Sequence, residues 1–289
     1  MKYFQGYYVK CTGLSDDLAV IFGRQVYKDK KSSFIQIITK DNTYNATFDA
    51  STPYTFKHKN FTVLVDKSYA NKTGLYLNIN TNDFTAKGLV TFGEFCPIKY
   101  DAMGPLKFFP RMECKHCVVS MRHSLNGQII LNGKIYDFDD GVGYIEGDRG
   151  RSFPRQYFWS QVNSDNVSLF ASAARIPYLG MRFMGTICVA NVDGKEHRFA
   201  TYLGARVKEI GDKKLLIKQG KKILEIQSLD DKKGLPLFAP ALGQMTRVIH
   251  ESLAKPVKYK MTIGNSTLFE FSSDRAAFEY SDCRLPPKH

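Results

Sequence analysis

Residues 257–264 read VKYKMTIG, in which Val257, Tyr259, Met261 and Ile263 alternate with Lys258, Lys260 and Thr262. A strict two-residue alternation puts one set of side chains on each face of an extended strand. This is the pattern of an antiparallel sheet with one face buried. The same rhythm occurs far upstream. Phe61, Val63 and Val65 share a face in FTVLVDK (61–67), and Leu75, Leu77 and Ile79 oppose Tyr76, Asn78 and Asn80 in LYLNINT (75–81). Turn-forming clusters such as LNGK, NVDGKE, KQGKK and IGNS punctuate these runs. FIQIITKDNTYNATFD (34–49) and LLIKQGKKILEIQ (215–227) predict hairpins. LGQMTRVIHESLAKP (242–256) fits two periods: Leu242, Met245, Val248 or Ile249, and Leu253 lie near one helical face, but Met245, Ile249 and Leu253 also share one face of a strand. About a dozen and a half strands are expected, more than one small closed barrel needs. The sequence therefore predicts an all-β chain of two antiparallel barrels packed together.

The bulk numbers agree with a globular chain. Its 289 residues are 43% hydrophobic and 24% charged, enough to bury a core and unlike a disordered segment. The formal net charge of +13 attracts anions in general. However, many lysines fall in short groups at turns (Lys28, Lys30 and Lys31; Lys213 and Lys214; Lys221 and Lys222; Lys232 and Lys233). There they solvate hairpin ends and guard sheet edges. No nucleic-acid motif is present, and the charge leaves peripheral contact with anionic lipid open. No apolar run nears the roughly 18 residues of a spanning helix, and MKYFQGYYVK lacks a secretory apolar region. A cytoplasmic protein with reduced thiols is expected, with no cofactor.

Several motifs carry little chemistry. Cys114 and Cys117 in ECKHC have clip spacing, but a zinc site needs about four ligands and no second pair exists. Buried, reduced thiols and no metal are expected. Serines lack a nucleophile-elbow context. His116 and His123, seven apart, point to opposite faces of a regular strand, so they line one pocket only if a bulge intervenes.

GYIEGDRGRSFPRQYFWSQVN (143–163) is denser. Glu146 and Asp148 point one way on an extended backbone, while Arg149 and Arg151 point the other. Two carboxylates in one pocket can split their pKa values into an acid and a base; equally, they can pair with the arginines. Tyr157, Trp159, Gln161 and Asn163 share a face, and aromatics followed by amides suit an apolar cavity wall with a polar end.

This stretch resembles the tocopherol cyclase family in its Gly-Tyr-x-Glu segment (Gly143, Tyr144, Glu146), its Gly-x-x-Phe-Pro (Gly150, Phe153, Pro154) and its aromatic-Trp-x-Gln-x-Asn strand (Phe158, Trp159, Gln161, Asn163). GYYVK, the segment 92–127 and SDRAAFEY are similar to further pieces of the family in the same order. The resemblance implies two lipocalin-like barrels, as in the related carotenoid hydratase and Diels–Alderase group, with the Trp strand in the first. The domains would then be 1–175 and 176–289. It implies a small, partly apolar ligand and an acid-catalysed cyclisation or isomerisation of a prenylated phenol or terpenoid. Glu146 and Asp148 are then the catalytic candidates. Tyr144, Arg149, Trp159, Gln161, Asn163, His116 and His123 are the binding candidates. Arg149 stands where the plant cyclases carry a tryptophan, which suits an anionic or polyhydroxylated ligand. A carbohydrate-active enzyme using the carboxylate pair and a non-catalytic carrier are the alternatives.

Overall fold

The computed structural model describes residues 2–57, 60–110, 112–178 and 180–283. Their regular structure is twenty-two strands and two short 3-10 turns, Gly104–Phe108 and Thr201–Leu203. The first twelve strands are β1 (Lys2–Thr12), β2 (Asp17–Tyr27), β3 (Lys30–Thr39), β4 (Thr43–Phe48), β5 (Tyr54–Lys57), β6 (Thr62–Val65), β7 (Ser68–Asn71), β8 (Gly74–Asn80), β9 (Thr85–Phe92), β10 (Cys114–Leu131), β11 (Lys134–Asp137) and β12 (Gly141–Gly150). They form one sheet in the order β4-β3-β2-β1-β12-β10-β9-β8-β7-β6-β5, with β11 paired to β10. The rest are β13 (Gln156–Asn163), β14 (Val167–Tyr178), β15 (Met181–Val192), β16 (Lys195–Ala200), β17 (Arg206–Ile210), β18 (Lys214–Gln219), β19 (Lys222–Ser228), β20 (Leu235–Ala241), β21 (Gln244–Ile263) and β22 (Ser266–Asp282). They form a second sheet in the order β16-β15-β14-β13-β22-β21-β19-β18-β17, with β20 paired to β21.

Most of the chain is thus a meander, and local sequence explains it. The predicted hairpins are β3–β4 and β18–β19. Their neighbours turn at residues that tolerate positive φ: Asn132 and Gly133 lead from β10 to β11, Asp193 and Gly194 from β15 to β16. Paired positive-φ residues give the tight turn whose twist matches the strands. The ambiguous segment 242–256 lies in the β20–β21 hairpin and β21, a strand rather than a helix. Its apolar positions continue the alternation of VKYKMTIG, and pairing with β20 and, from Glu251 on, with β22 holds its backbone extended.

Each sheet encloses its own apolar cluster. In the first, Val20 of β2, Val65 of β6 and Ile79 of β8 belong to one cluster, so the sheet must curl round on itself. In the second, Phe158, Ala190, Leu215, Tyr259 and Phe278 do the same. Burying each of the larger aliphatic or phenyl side chains contributes about 1.5–3 kcal/mol. The all-β expectation holds. Hydrogen bonding among the described residues leaves each sheet an open path rather than a closed ring.

The boundary expected near residue 175 falls inside β14. The compact units are instead Met1–Ile98 with His116–Ser152 and Ala239–Thr246, and Lys99–Lys115 with Phe153–Phe238 and Arg247–His289. The Trp strand β13 therefore belongs to the second sheet, not the first. Its neighbours are β14 and the C-terminal β22, and pairing with a segment over a hundred residues away leaves no local trace in sequence.

Candidate active site

β12 has two unlike faces. Gly143, Ile145 and Gly147 point to the first core, and Tyr144, Glu146 and Asp148 point away from it. The glycines are needed there. A Cβ at Gly143 would collide with the ring of His123, and one at Gly147 with the ring of Tyr7. Gly in a strand commonly marks such a close approach.

On the other face the carboxylates gather round one histidine. Tyr144 donates its hydroxyl to Glu146 Oε2 at 2.6 Å. His116, from β10, sets Nε2 3.5 Å from that same oxygen and Nδ1 3.1 Å from Asp148 Oδ1. Glu146 is only 5% exposed. The Tyr144 hydroxyl is held protonated, first by burial and then by the charge of Glu146, so it acts as a donor. Opposite on β1, Tyr8 lies beside Glu146 and Lys10 beside Tyr144, and both are buried. Lys10 places a cation diagonal to Glu146. One atom each from His116, Glu146 and Asp148 fall within 4.8 Å of one another, so these residues could hold a divalent cation as readily as pass a proton.

The two histidines part as their spacing requires. His123 faces the core between Phe92 and Phe95. Ser120 donates to Arg122 O, and its oxygen lies 3.0 Å from His123 Nδ1. His123 therefore carries its proton on Nδ1, while Nε2 is buried without a hydrogen-bond partner among the described residues. Burial pushes its pKa down to about 3. It is a neutral core residue and does not join the carboxylates. Arg149 is exposed, on the face of β12 opposite Glu146. Cys114 and Cys117 are half-buried rather than buried, and all six cysteines are unbridged.

In the second unit, Trp159, Gln161 and Asn163 line one face of β13 as expected, and Phe158 and Val162 enter the core. Trp159 stands opposite Glu279 of β22. Tyr157 donates its hydroxyl to Glu279. Sequence reasoning missed Tyr8, Lys10, Glu251 and Glu279. Period-2 alternation could assign each a face, but the buried state of a face depends on long-range pairing.

The tocopherol cyclase-like family model matches residues 77–281. The chain belongs to the tocopherol cyclase-like family. The match runs from within β8 into β22 and so includes His116, Tyr144, Glu146 and Asp148 as well as the polar residues of β13 and Glu279. Within the family's reach, a rice protein described as "Probable tocopherol cyclase, chloroplastic" (Oryza sativa subsp. japonica) is 25% identical over 171 residues, covering 55% of this chain and 36% of that protein. The chain thus matches only about a third of that relative's length. Among solved structures, CghA covers 98% of this chain and 89% of its own at a TM-score of 0.62 and 8% identity. CghA with Sch210972 gives 0.61. Kievitone hydratase from Nectria haematococca covers 98% and 90% at a TM-score of 0.55 and 11% identity. At such identities the likeness concerns the fold alone, and it agrees with the two lipocalin-like sheets. Among the described residues, no helix is long and apolar enough to cross a membrane.

Proposed function

We propose that this tocopherol cyclase-like chain is an enzyme that adds an O–H group across a carbon–carbon double bond of a prenylated phenol or terpenoid, with Glu146 as the acid. The observation that carries this reading is the buried Glu146 carboxyl, held by Tyr144 and beside a histidine that also contacts Asp148. Glu146 gives its proton to one alkene carbon, leaving a cation on the more substituted carbon. The phenol oxygen bonds to that carbon, and its proton returns to Glu146, directly or through His116. The product is an isomer of the substrate, and no co-reactant is consumed. Burial is what allows a carboxylic acid to hold its proton near neutrality. The ring faces of Tyr144 and Tyr8 are suited to the passing cation. Asp148, on Nδ1 of His116, orients that ring.

Glu146→Gln is expected to lower turnover of a prenylated hydroquinone by about 10²–10⁴-fold, the usual worth of general acid catalysis, with an unchanged circular dichroism spectrum. Unchanged turnover would remove Glu146 from the role. The carbohydrate-active alternative is poorly supported: both carboxylates contact one imidazole instead of flanking an open cleft. A carrier has no need of a buried carboxyl held in this way.

One observation favours a second reading. The ligand atoms of His116, Glu146 and Asp148 lie within 4.8 Å of one another, as divalent cation sites require. Calorimetric titration with Zn²⁺ and Mn²⁺, compared between the native chain and His116→Ala, decides it; no heat in either case removes the metal. The compartment proposed is the cytoplasm, where the unbridged cysteines are stable.

A further inference from the structure

The core face of the first sheet carries a cation that the Glu146 cluster, on the other face, does not use. Along β2, Leu18, Val20 and Phe22 enter the first core, and Arg24 is the next residue on that face. Arg24 stands opposite Gln5 of β1 and Ser33 of β3, and Ser33 stands opposite Phe48 of β4. Three rings surround the guanidinium. Its carbon lies 5.4 Å from the centroid of Tyr3, 5.8 Å from that of Tyr54 and 5.5 Å from that of Phe56. Gln5 holds one edge: its Oε1 accepts from Arg24 Nη2 at 3.0 Å and from the Tyr3 hydroxyl at 3.2 Å.

Two independent observations point to an anion. First, Arg24 is half-buried, yet none of the ion pairs among the described residues involves it. A guanidinium keeps its charge in a protein, and a charge drawn out of water is unfavourable unless a counter-charge meets it. The rings attract its faces but accept none of its in-plane hydrogens. Secondly, two neighbouring polar atoms are buried without hydrogen-bond partners among the described residues: Nε of Arg24 and Oγ of Ser33, the latter on a fully buried residue. Buried polar groups are almost always bonded, because an unmet donor loses its water without compensation. Residues opposite each other in a ladder hold their Cβ atoms about 4.5–5.5 Å apart, so one acceptor group can meet both donors.

We propose that Arg24, Ser33 and the three rings form a binding site for a carboxylate carried on a flat, apolar body such as an aromatic ring. The carboxylate takes Nε and a second guanidinium hydrogen in the two-pronged geometry that suits arginine. Ser33 donates its hydroxyl to the same group. Tyr3, Tyr54 and Phe56 flank the apolar body, in the manner of ligand sites that are mostly apolar with a few placed polar groups. One ringed cation matches a single negative charge, and Arg149, exposed opposite Gln5 in the β1–β12 ladder, adds to the positive field. The binding is independent of Glu146, whose side chain lies on the other face of the sheet.

Calorimetric titration of the full chain at physiological salt, which screens the exposed lysines, tests this with three probes: benzoate, the uncharged benzamide and inorganic phosphate. Benzoate is expected to bind about tenfold tighter than either of the others, because only it offers both a charge-assisted acceptor and an apolar ring. Arg24→Lys keeps the charge but loses the fork. It is expected to weaken benzoate about tenfold with an unchanged circular dichroism spectrum. Ser33→Ala removes the unmet buried hydroxyl. It is expected to fold with an unchanged or higher Tm and to weaken benzoate roughly three- to tenfold, so it decides the matter even if Arg24→Lys does not fold. Absence of saturable benzoate binding, benzamide or phosphate binding as tightly as benzoate, or native benzoate affinity in Ser33→Ala or in folded Arg24→Lys would overturn the assignment.

Discussion

At the scale of single residues, the same residue type takes opposite roles according to the face it occupies. His116 and His123 lie on one strand. His116 touches two carboxylates, and His123 sits among phenylalanine rings. The folded pKa of His123, about 3, lies below the ordinary value of about 6.5 for the unfolded chain. The unfolded chain therefore binds a proton that the folded chain refuses. The stability that depends on a neutral His123 is complete above about pH 6.5 and is lost as the pH falls toward 3, by about 1.4 kcal/mol per pH unit. His123→Leu is expected to flatten the Tm-against-pH curve between pH 6.5 and 4. An equal slope in the variant would mean that other groups govern acid unfolding. Arg149 makes a related point. Its position in the motif suggested a cation beside the ligand, but alternation along β12 turns it away from Glu146 and leaves it exposed.

At the scale of elements, alternation was legible wherever one face of a strand is buried, and β21 is the clearest case. Tyr259 is fully buried and bonded through its hydroxyl to Ser160 at 2.7 Å, whereas Lys258 and Lys260 lie on the solvent face with Glu270. Tyr259→Ala is expected to cost about 3–5 kcal/mol, as for other large buried rings, and Lys258→Ala less than about 0.5 kcal/mol; urea titrations of the two variants measure the contrast. β13 shows where such legibility ends. Alternation placed Trp159, Gln161 and Asn163 on one face, whereas the strand's place in the first barrel was implied only by the family resemblance. Local pattern fixes which side chains share a face. It does not choose between a hydrogen-bonding neighbour nearby and one at the far end of the chain. Glu279 was missed for the same reason: its alternation within SDRAAFEY is unremarkable, and only the β13–β22 ladder buries it beside Trp159.

At the scale of the whole molecule, two features govern behaviour. The first is charge. Much of the +13 lies in lysines at turns and on solvent faces, and many of these pair locally: Lys213 with Asp231, Lys214 with Glu209 and Glu225, and Lys258 and Lys260 with Glu270. Those two lysines hold the Glu270 carboxyl down to about 2 through hydrogen bonds and charge. This distribution protects strands from edge pairing more than it builds one basic patch. The second is topology. β1 pairs with β12 and β13 with β22, each across more than a hundred residues. Loop-closure entropy must be overcome before such contacts form. Refolding followed by Trp159 emission is therefore expected on the millisecond-to-second scale or slower; a microsecond phase carrying the full amplitude would contradict this. The sequence by itself determined the all-β class, the hairpins, the faces of its clearly alternating strands and the family, because these rest on short-range periodicity and contiguous motifs. Only the tertiary structure decided which strands pair in each sheet, that His116 rather than His123 joins Glu146 and Asp148, and that Glu279 lies buried beside Trp159. Those outcomes depend on long-range pairing and burial, which are properties of the assembled sheets and not of any one stretch of chain.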